Sequence, residues 1–292
     1  RMSNALGSTL IASTDAQQLL RDVPGLAARL ARADHRRDDF LALDDWLLAQ
    51  HGIPAEAEAA LLAATQGSPA AQHGWLKLDA LSLVITRDRL VALPQQPEDA
   101  ADAAQLITDV LAHLPALGAL HAPADDAGFA LLDLAAPAGA RFQPVWRVAG
   151  RPLDAHLPDG PRGADWRRWL TEAQMLLHVH PLNEAREARG LRPLNALWLS
   201  GGAPSAPPPR AAGVHLIGAH PLRHALPLAD AASAQTLVWL HQPGQPVPAP
   251  VSARLNASRL DLRVLETSGS QHYRLLPWHR LRVWRKPPAG SP

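Results

Sequence analysis

Residues 178–202 read His178-Val-His-Pro-Leu-Asn-Glu-Ala-Arg-Glu-Ala-Arg-Gly-Leu-Arg-Pro-Leu-Asn-Ala-Leu-Trp-Leu-Ser-Gly-Gly202. Pro181 pushes the residue before it out of the α region, so a preceding helix ends there. Asn183 is suited to cap a new helix, with Glu184 at its positive end. Gly190 can take the left-handed conformation that closes that helix. Leu194 to Leu199 then predicts a buried strand. Ser200-Gly201-Gly202 leaves its carboxyl end, where open α/β sheets place their ligands.

Arg186 and Arg189 are three residues apart and share one face of the expected helix. They would offer planar forks to a phosphate or carboxylate, with Asn183 and Asn195 orienting it. The same spacing also serves capping alone, in which the arginines complement the negative end of the helix and the asparagines close turns. Both readings stay open at the level of sequence.

Toward the N-terminus, Leu19, Leu20, Val23, Leu26 and Leu30 recur at helical spacing, with Pro24-Gly25 as a break. Asp39–Gln50 and Ala55–Ala64 extend this helical character. Strands are expected at Trp75–Asp79, Leu83–Ile85, Leu90–Ala92, Phe129–Leu134 and Phe142–Val148. Pro97-Glu98-Asp99 opens a helix, with proline and acids in its first turn. Asp165 is the expected cap of an amphipathic helix whose stripe is Trp166, Trp169, Leu170, Ala173 and Leu177. Further strands are expected at Val214–Ile217, Leu237–Leu240, Leu260–Leu265 and Tyr273–Leu276, the last two as a hairpin. Proline-rich connections cover 203–210 and 242–250. The class is mixed α/β: an N-terminal helical region followed by a mixed sheet flanked by helices. The expected division is a helical region at 1–66, an α/β region at 67–202 and a C-terminal α/β region at 203–292.

The chain of 292 residues is 47% hydrophobic and 19% charged, which describes a folded globular protein with room for a sizeable core. No apolar run approaches the ~18 residues of a membrane helix, and no secretory leader is evident. There is no cysteine, which excludes disulfides, thiolate catalysis and cysteine zinc sites and makes a reducing cytoplasm the expected home. With a net charge of +1, no global field steers the protein to nucleic acid or membrane. Of the 28 basic residues only Lys77 and Lys286 are lysines, a bias shared with the Ala/Leu/Pro background.

His180-Pro-x-Asn183-x-x-Arg186, followed by Gly190-x-x-Pro193-x-Asn195 before a strand, resembles a motif of archaeal-type cofactor-independent phosphoglycerate mutases. It is closer still to bacterial proteins related to them. Asp154-x-His156, before the amphipathic helix, extends the resemblance to residues 140–202. That family is similar to the alkaline phosphatase superfamily, whose resemblance implies two divalent metals, a serine nucleophile and several Asp and His ligands. No strand ending in Asp-Gly near the N-terminus and no Asp/His cluster after the motif stands out in this sequence.

His178-x-His180 and Asp154-x-His156 carry metal-binding residue types, but at a helix end the two rings of His-x-His diverge, and no metal site is expected. Ser200 has no identifiable partner base, and no catalytic residue is assigned. Residues 274–286 hold Arg274, Arg280, Arg282, Arg285 and Lys286 interleaved with Trp278 and Trp284. That pattern suits single-stranded nucleic acid, while Trp278, Leu281 and Trp284, spaced by three, suit docking onto the core, which is the expectation taken here. The leading functional expectation is a non-catalytic, phosphoglycerate mutase-related binding or regulatory module. Its ligand would be a small phosphate or carboxylate held by Asn183, Arg186, Arg189 and Asn195, with no cofactor and no membrane partner. The alternatives are an active metal-dependent mutase or phosphatase, and a nucleic-acid-associated protein using the basic C-terminus.

Overall fold

The computed structural model describes residues 8–13, 16–39, 42–86, 89–121, 128–266 and 269–282. The chain forms two compact units, residues 1–51 with 209–292, and residues 52–208. The first begins with β1 (Ser8–Ser13), α1 (Ala16–Asp22), α2 (Leu26–Arg32), β2 (Asp34–Asp38) and α3 (Leu43–Gln50). The second holds α4 (Glu58–Thr65), β3 (Trp75–Thr86), β4 (Arg89–Pro94), α5 (Ala100–Leu111), β5 (Gly118–His121) and β6 (Phe129–Leu134). It continues through α6 (Val145–Val148), α7 (Gly163–His178), α8 (Pro181–Ala188) and β7 (Ala196–Gly201). The chain then returns to the first unit with β8 (Val214–Ile217), β9 (Thr236–His241), α9 (Ala249–Asn256), β10 (Leu260–Glu266) and β11 (Gly269–Leu275).

In the first unit the strand order is β2-β11-β10-β1-β9-β8. β1 runs parallel to β9 and β10, and β8 parallel to β9, while β11 is antiparallel to β10 and β2. Leu237, Val238 and Trp239 of β9 are all buried, as expected of a strand covered on both faces. Leu19, Leu26 and Leu30 from α1 and α2, with Val251 and Leu255 from α9, pack against Leu237, Trp239 and Leu262. Pro24-Gly25 separates α1 from α2, as the sequence suggests.

This arrangement differs from a division at residues 66 and 202. β1 and β2, within the stretch expected to be helical, complete the sheet formed by the C-terminal strands. Parallel pairing joins residues far apart in the chain and leaves no local mark in the sequence.

In the second unit every strand pairing is antiparallel. The 12-residue β3 organises it. One edge pairs with β6 through Trp75–Asp79 and with β4 through Leu81–Thr86, and the other pairs with β7 through Leu76–Leu81. Alternate residues point to opposite faces. Leu76, Leu78 and Ala80 join Leu132, Leu197 and Leu199 beneath α5 and α7. The α7 stripe is as expected: Trp166, Trp169, Ala173 and Leu177 are buried, Leu170 is half-buried, and Arg167 and Arg168 are exposed. Asp165 sits in the first turn of α7 rather than capping it. Residues 142–148, expected as a strand, contain α6 instead, with Pro144 immediately before its first residue.

The C-terminal docking expectation is also corrected. Residues Pro277–Leu281 form a 3-10 turn, in which positions three apart lie on one side. That side faces water, leaving Trp278 58% and Leu281 68% exposed. His279 is the buried group, with Nε2 3.5 Å from Asp34 Oδ2. Trp284, Arg285 and Lys286 lie outside the described residues.

Gly201, at the end of β7, adopts φ +103, and a Cβ there would fall 2.7 Å from the Trp75 carbonyl oxygen and 2.9 Å from Ala59 Cβ. Gly201→Ala is expected to destabilise the protein by about 1–3 kcal/mol through overpacking, more with the backbone strain added. Urea denaturation checks this, and an unchanged midpoint would mean that the α4–β3–β7 layer relaxes freely.

Candidate functional site

His180, not Asn183, caps α8: its Nδ1 accepts the Leu182 N–H at 3.2 Å, and Pro181 occupies the first helical position. There proline is favoured, because its missing N–H would have no helical partner. The helix closes as expected at Gly190, φ +75. The Leu191 N–H reaches the Arg186 carbonyl and the Gly190 N–H the Glu187 carbonyl, each at 2.9 Å. This double bond pattern satisfies the last helical carbonyls.

The four residues expected to hold an anion are used internally. Asn183 is buried; its Nδ2 donates to the carbonyls of Leu177 at 2.8 Å and Leu194 at 3.1 Å, and its Oδ1 accepts the Leu194 N–H at 2.9 Å. It therefore ties the end of α7 to the entry of β7. Arg186 is 1% exposed. Its Nη2 donates to Asp99 Oδ1 at 2.5 Å, Nη1 to Asp102 Oδ2 at 2.6 Å, and Nε to the Arg192 carbonyl at 3.0 Å. Arg189 is about half exposed, and donates to Asp102 Oδ2 at 3.1 Å and to the Ala185 carbonyl at 3.2 Å. Asn195 accepts the Leu83 N–H at 2.6 Å and donates to the Leu83 carbonyl at 3.1 Å, acting as a side-chain extension of the β3–β7 ladder.

These partners engage Asn183, Arg186 and Asn195 within the fold, while Arg189 remains about half exposed. A shallow groove of about 470 Å³ does lie beside Asn195, lined also by Thr171, Gln174, Met175, His178 and Val179, without either arginine. β7 also belongs to an antiparallel sheet, so the strand-end rule for parallel sheets does not apply to it. Burial alone would raise the Asp99 carboxyl pKa, but the Arg186 hydrogen bond, the Gln96 N–H and the charges of Arg186 and Arg192 outweigh it and lower it. Burial likewise opposes the Arg186 charge, yet the two aspartates raise its pKa overall.

The opposite face of the same sheet carries a buried charged row. Lys77 Nζ lies 3.0 Å from Asp79 Oδ1, 3.5 Å from Glu58 Oε1 of α4 and 5.0 Å from the centroid of the Phe129 ring. Ser200 stands in register opposite Lys77 and is 1% exposed, enclosed in this layer rather than presented at a strand end. The sequence signal was a lysine in a chain whose other cations are almost all arginine. A compact ammonium fits between two carboxylates without the planar fork of a guanidinium.

In the first unit, His241 ends β9 opposite Ser13 of β1. It is 3% exposed, and its Nε2 lies 2.9 Å from Asp22 Oδ2. The Gly244 N–H donates to the same oxygen at 2.9 Å and Gln18 Nε2 donates to Oδ1 at 2.8 Å. The Gly244 hydrogen bond is the main reason the Asp22 carboxyl is held below its ordinary range. No local pattern marks this pair, because its members come from different ends of the chain. A histidine closing an apolar run before Pro-Gly was the available signal.

The two-metal centre implied by the family resemblance does not fit these donors. Among the described residues no three His, Asp or Glu side chains are grouped to hold an ion. Asp22 and His241 face each other, and His180 is engaged with Leu182 and with Asp109 at 3.4 Å. His156 is pushed below its ordinary pKa by burial and then by the Arg151 charge.

No family model matches the sequence. A 2,3-bisphosphoglycerate-independent phosphoglycerate mutase of Methanothrix thermoacetophila is 36% identical over 67 residues, covering 23% of this chain and 17% of that protein. A second such mutase, from Methanothermobacter thermautotrophicus, is 28% identical over 121 residues, covering 41% of this chain and 30% of that protein. The matches therefore span less than a third of either relative. The cofactor-independent phosphoglycerate mutase of Thermoplasma acidophilum aligns at 11% identity and a TM-score of 0.37, over 92% of this chain and 90% of that one. A Pyrococcus horikoshii protein aligns at 11% and 0.38, over 92% and 87%. The chain is thus similar to phosphoglycerate mutases over part of its length, and the loose structural alignments carry no residue roles across.

Arg186→Ala leaves Asp99 and Asp102 without their buried cation and is expected to cost about 3–5 kcal/mol of stability. The Asp99 contribution is complete above the ordinary carboxylate value of 3.8 and is lost as pH falls through the lower folded value. Denaturation midpoints should therefore fall on acidification below that range in the wild type and fall less in Arg186→Ala. Equal acid limbs would show that the pair is not coupled to folding. Lys77→Met should likewise cost about 3–5 kcal/mol, since it strands Asp79 and Glu58 beside an apolar side chain.

Proposed function

We propose that this chain is a phosphoglycerate mutase-related binding module that does not perform the mutase reaction, its 178–202 motif serving as scaffold. The observation that carries this is the sequestered Arg186. A guanidinium binds phosphate by aiming its fork at the ligand, and this fork is filled by Asp99, Asp102 and the Arg192 carbonyl. A phosphate entering there would have to displace both carboxylates from a buried position and would itself repel them. The ligand class suggested by the resemblance, a small molecule bearing carboxylate or phosphate, is accordingly assigned to a surface away from Arg186. The cysteine-free composition suits a reducing cytoplasm.

Purified protein, freed of host mutase and supplied with manganese, magnesium or zinc, is expected to show no conversion of 3-phosphoglycerate above background. Turnover that scales with protein and disappears with a chelator would revive the active-enzyme reading and sink this one.

The exposure of Trp278 beside Arg280 supports a second reading, contact with single-stranded nucleic acid by stacking and charge. A short oligonucleotide should then bind more weakly as salt rises, and Trp278→Ala should weaken it further. Binding unaffected by that substitution would remove the reading.

A further inference from the structure

We propose that residues 52–208 carry a binding site for a free α-amino acid with a branched apolar side chain, in an open groove of about 420 Å³ beside α7. The inference rests on the binding-module reading and gives it a ligand. The volume lies within the ~300–1,000 Å³ range of small-molecule sites.

Its apolar lining includes Leu117, Leu134, Trp166 and Trp169. Leu134 and both tryptophans are at least nine-tenths buried, so this is a formed wall rather than a surface dimple. Trp166 Nε1 already donates to the Ala138 carbonyl at 2.8 Å. Trp169 Nε1 is buried without a hydrogen-bond partner. That donor is enclosed in the wall, so the polar contacts open to a ligand are the charged side chains along the rim.

The charges around the groove narrow the ligand class. Arg162 and Asp165 neutralise each other at 3.2 Å. Arg168 and Glu172 also line the groove and stand one turn apart on α7, with no ion pair to either among the described residues. A simple carboxylate would suit Arg168 and be repelled by Glu172. A simple amine would suit Glu172 and be repelled by Arg168. A zwitterion with adjacent carboxylate and ammonium groups satisfies both. The leucine, proline and tryptophan surfaces then take an apolar side chain.

Calorimetric titration of the full chain tests this with L-leucine, glycine, 4-methylpentanoate, which lacks the amine, and isopentylamine, which lacks the carboxylate. Leucine should bind at least about tenfold more tightly than any of the other three, the scale of one charge-assisted contact for the two that lack a charge and of about two buried CH₂ groups for glycine. Arg168→Gln should weaken leucine about tenfold and bring it level with isopentylamine, and Glu172→Gln should bring it level with 4-methylpentanoate. Both substitutions are at groove-side positions outside the buried α7 stripe. No leucine binding at millimolar concentration, or binding indifferent to both glutamine variants, overturns the site. Mutase turnover in the same preparation would overturn the binding-module reading instead, and the leucine titration would still decide the groove on its own.

Discussion

Much of the second unit turns on one guanidinium. Arg186 is held by Asp99 and Asp102 at the start of α5 and by the Arg192 carbonyl before β7. It therefore joins α8, α5 and the approach to β7 at a single buried point. A buried cation with two carboxylates is stable only if geometry and hydrogen bonding are both complete, so each element must arrive in register. Asn183 and Asn195 extend the same constraint. The first pins the end of α7 to Leu194, and the second pins the start of β7 to Leu83. Three polar side chains that suggest a ligand site thus set the position of one helix pair against one sheet.

The sheet they set has two unlike faces, because β3 alternates Leu76, Leu78 and Ala80 with Lys77 and Asp79. The first group needs only apolar cover, which α5 and α7 supply. In the second, Lys77 pairs with Asp79 and takes Glu58 from α4 as a further carboxylate partner. Chemistry that would be reactive at a surface is enclosed there, Ser200 included. The groove proposed for an amino acid instead lies along α7, where the apolar layer meets exposed charge. The enclosed charged row and the open groove therefore lie in different parts of the second unit.

In the first unit the parallel strands bring Asp22 and His241 together from opposite ends of the chain. The pair lies at the carboxyl ends of parallel strands, the usual place for ligands in such sheets. Here, though, each group is the other's partner, and Gly244 and Gln18 complete the carboxylate's hydrogen bonds. Position in a fold and availability for chemistry are different properties.

The sequence by itself determined the elements whose signal is local. The stripe from Trp166 to Leu177 recurs at helical spacing, Gly190 closes α8, and the apolar runs at 129–134, 214–217 and 237–240 are strands. It did not determine β1 or β2, whose short runs become strands only through distant partners, nor β5, which pairs with the neighbouring β6, nor Phe142–Val148, where Pro144 overrides an apolar pattern. The fate of Arg186 and Arg189 was likewise open, because the spacing that aims two forks at a ligand also aims them at carboxylates elsewhere in the chain. Asp99 and Asp102 lie more than eighty residues away, and no local pattern links them to the motif. Only the tertiary structure, by bringing Asp99 and Asp102 to Arg186, decided that this arginine is spent on the fold.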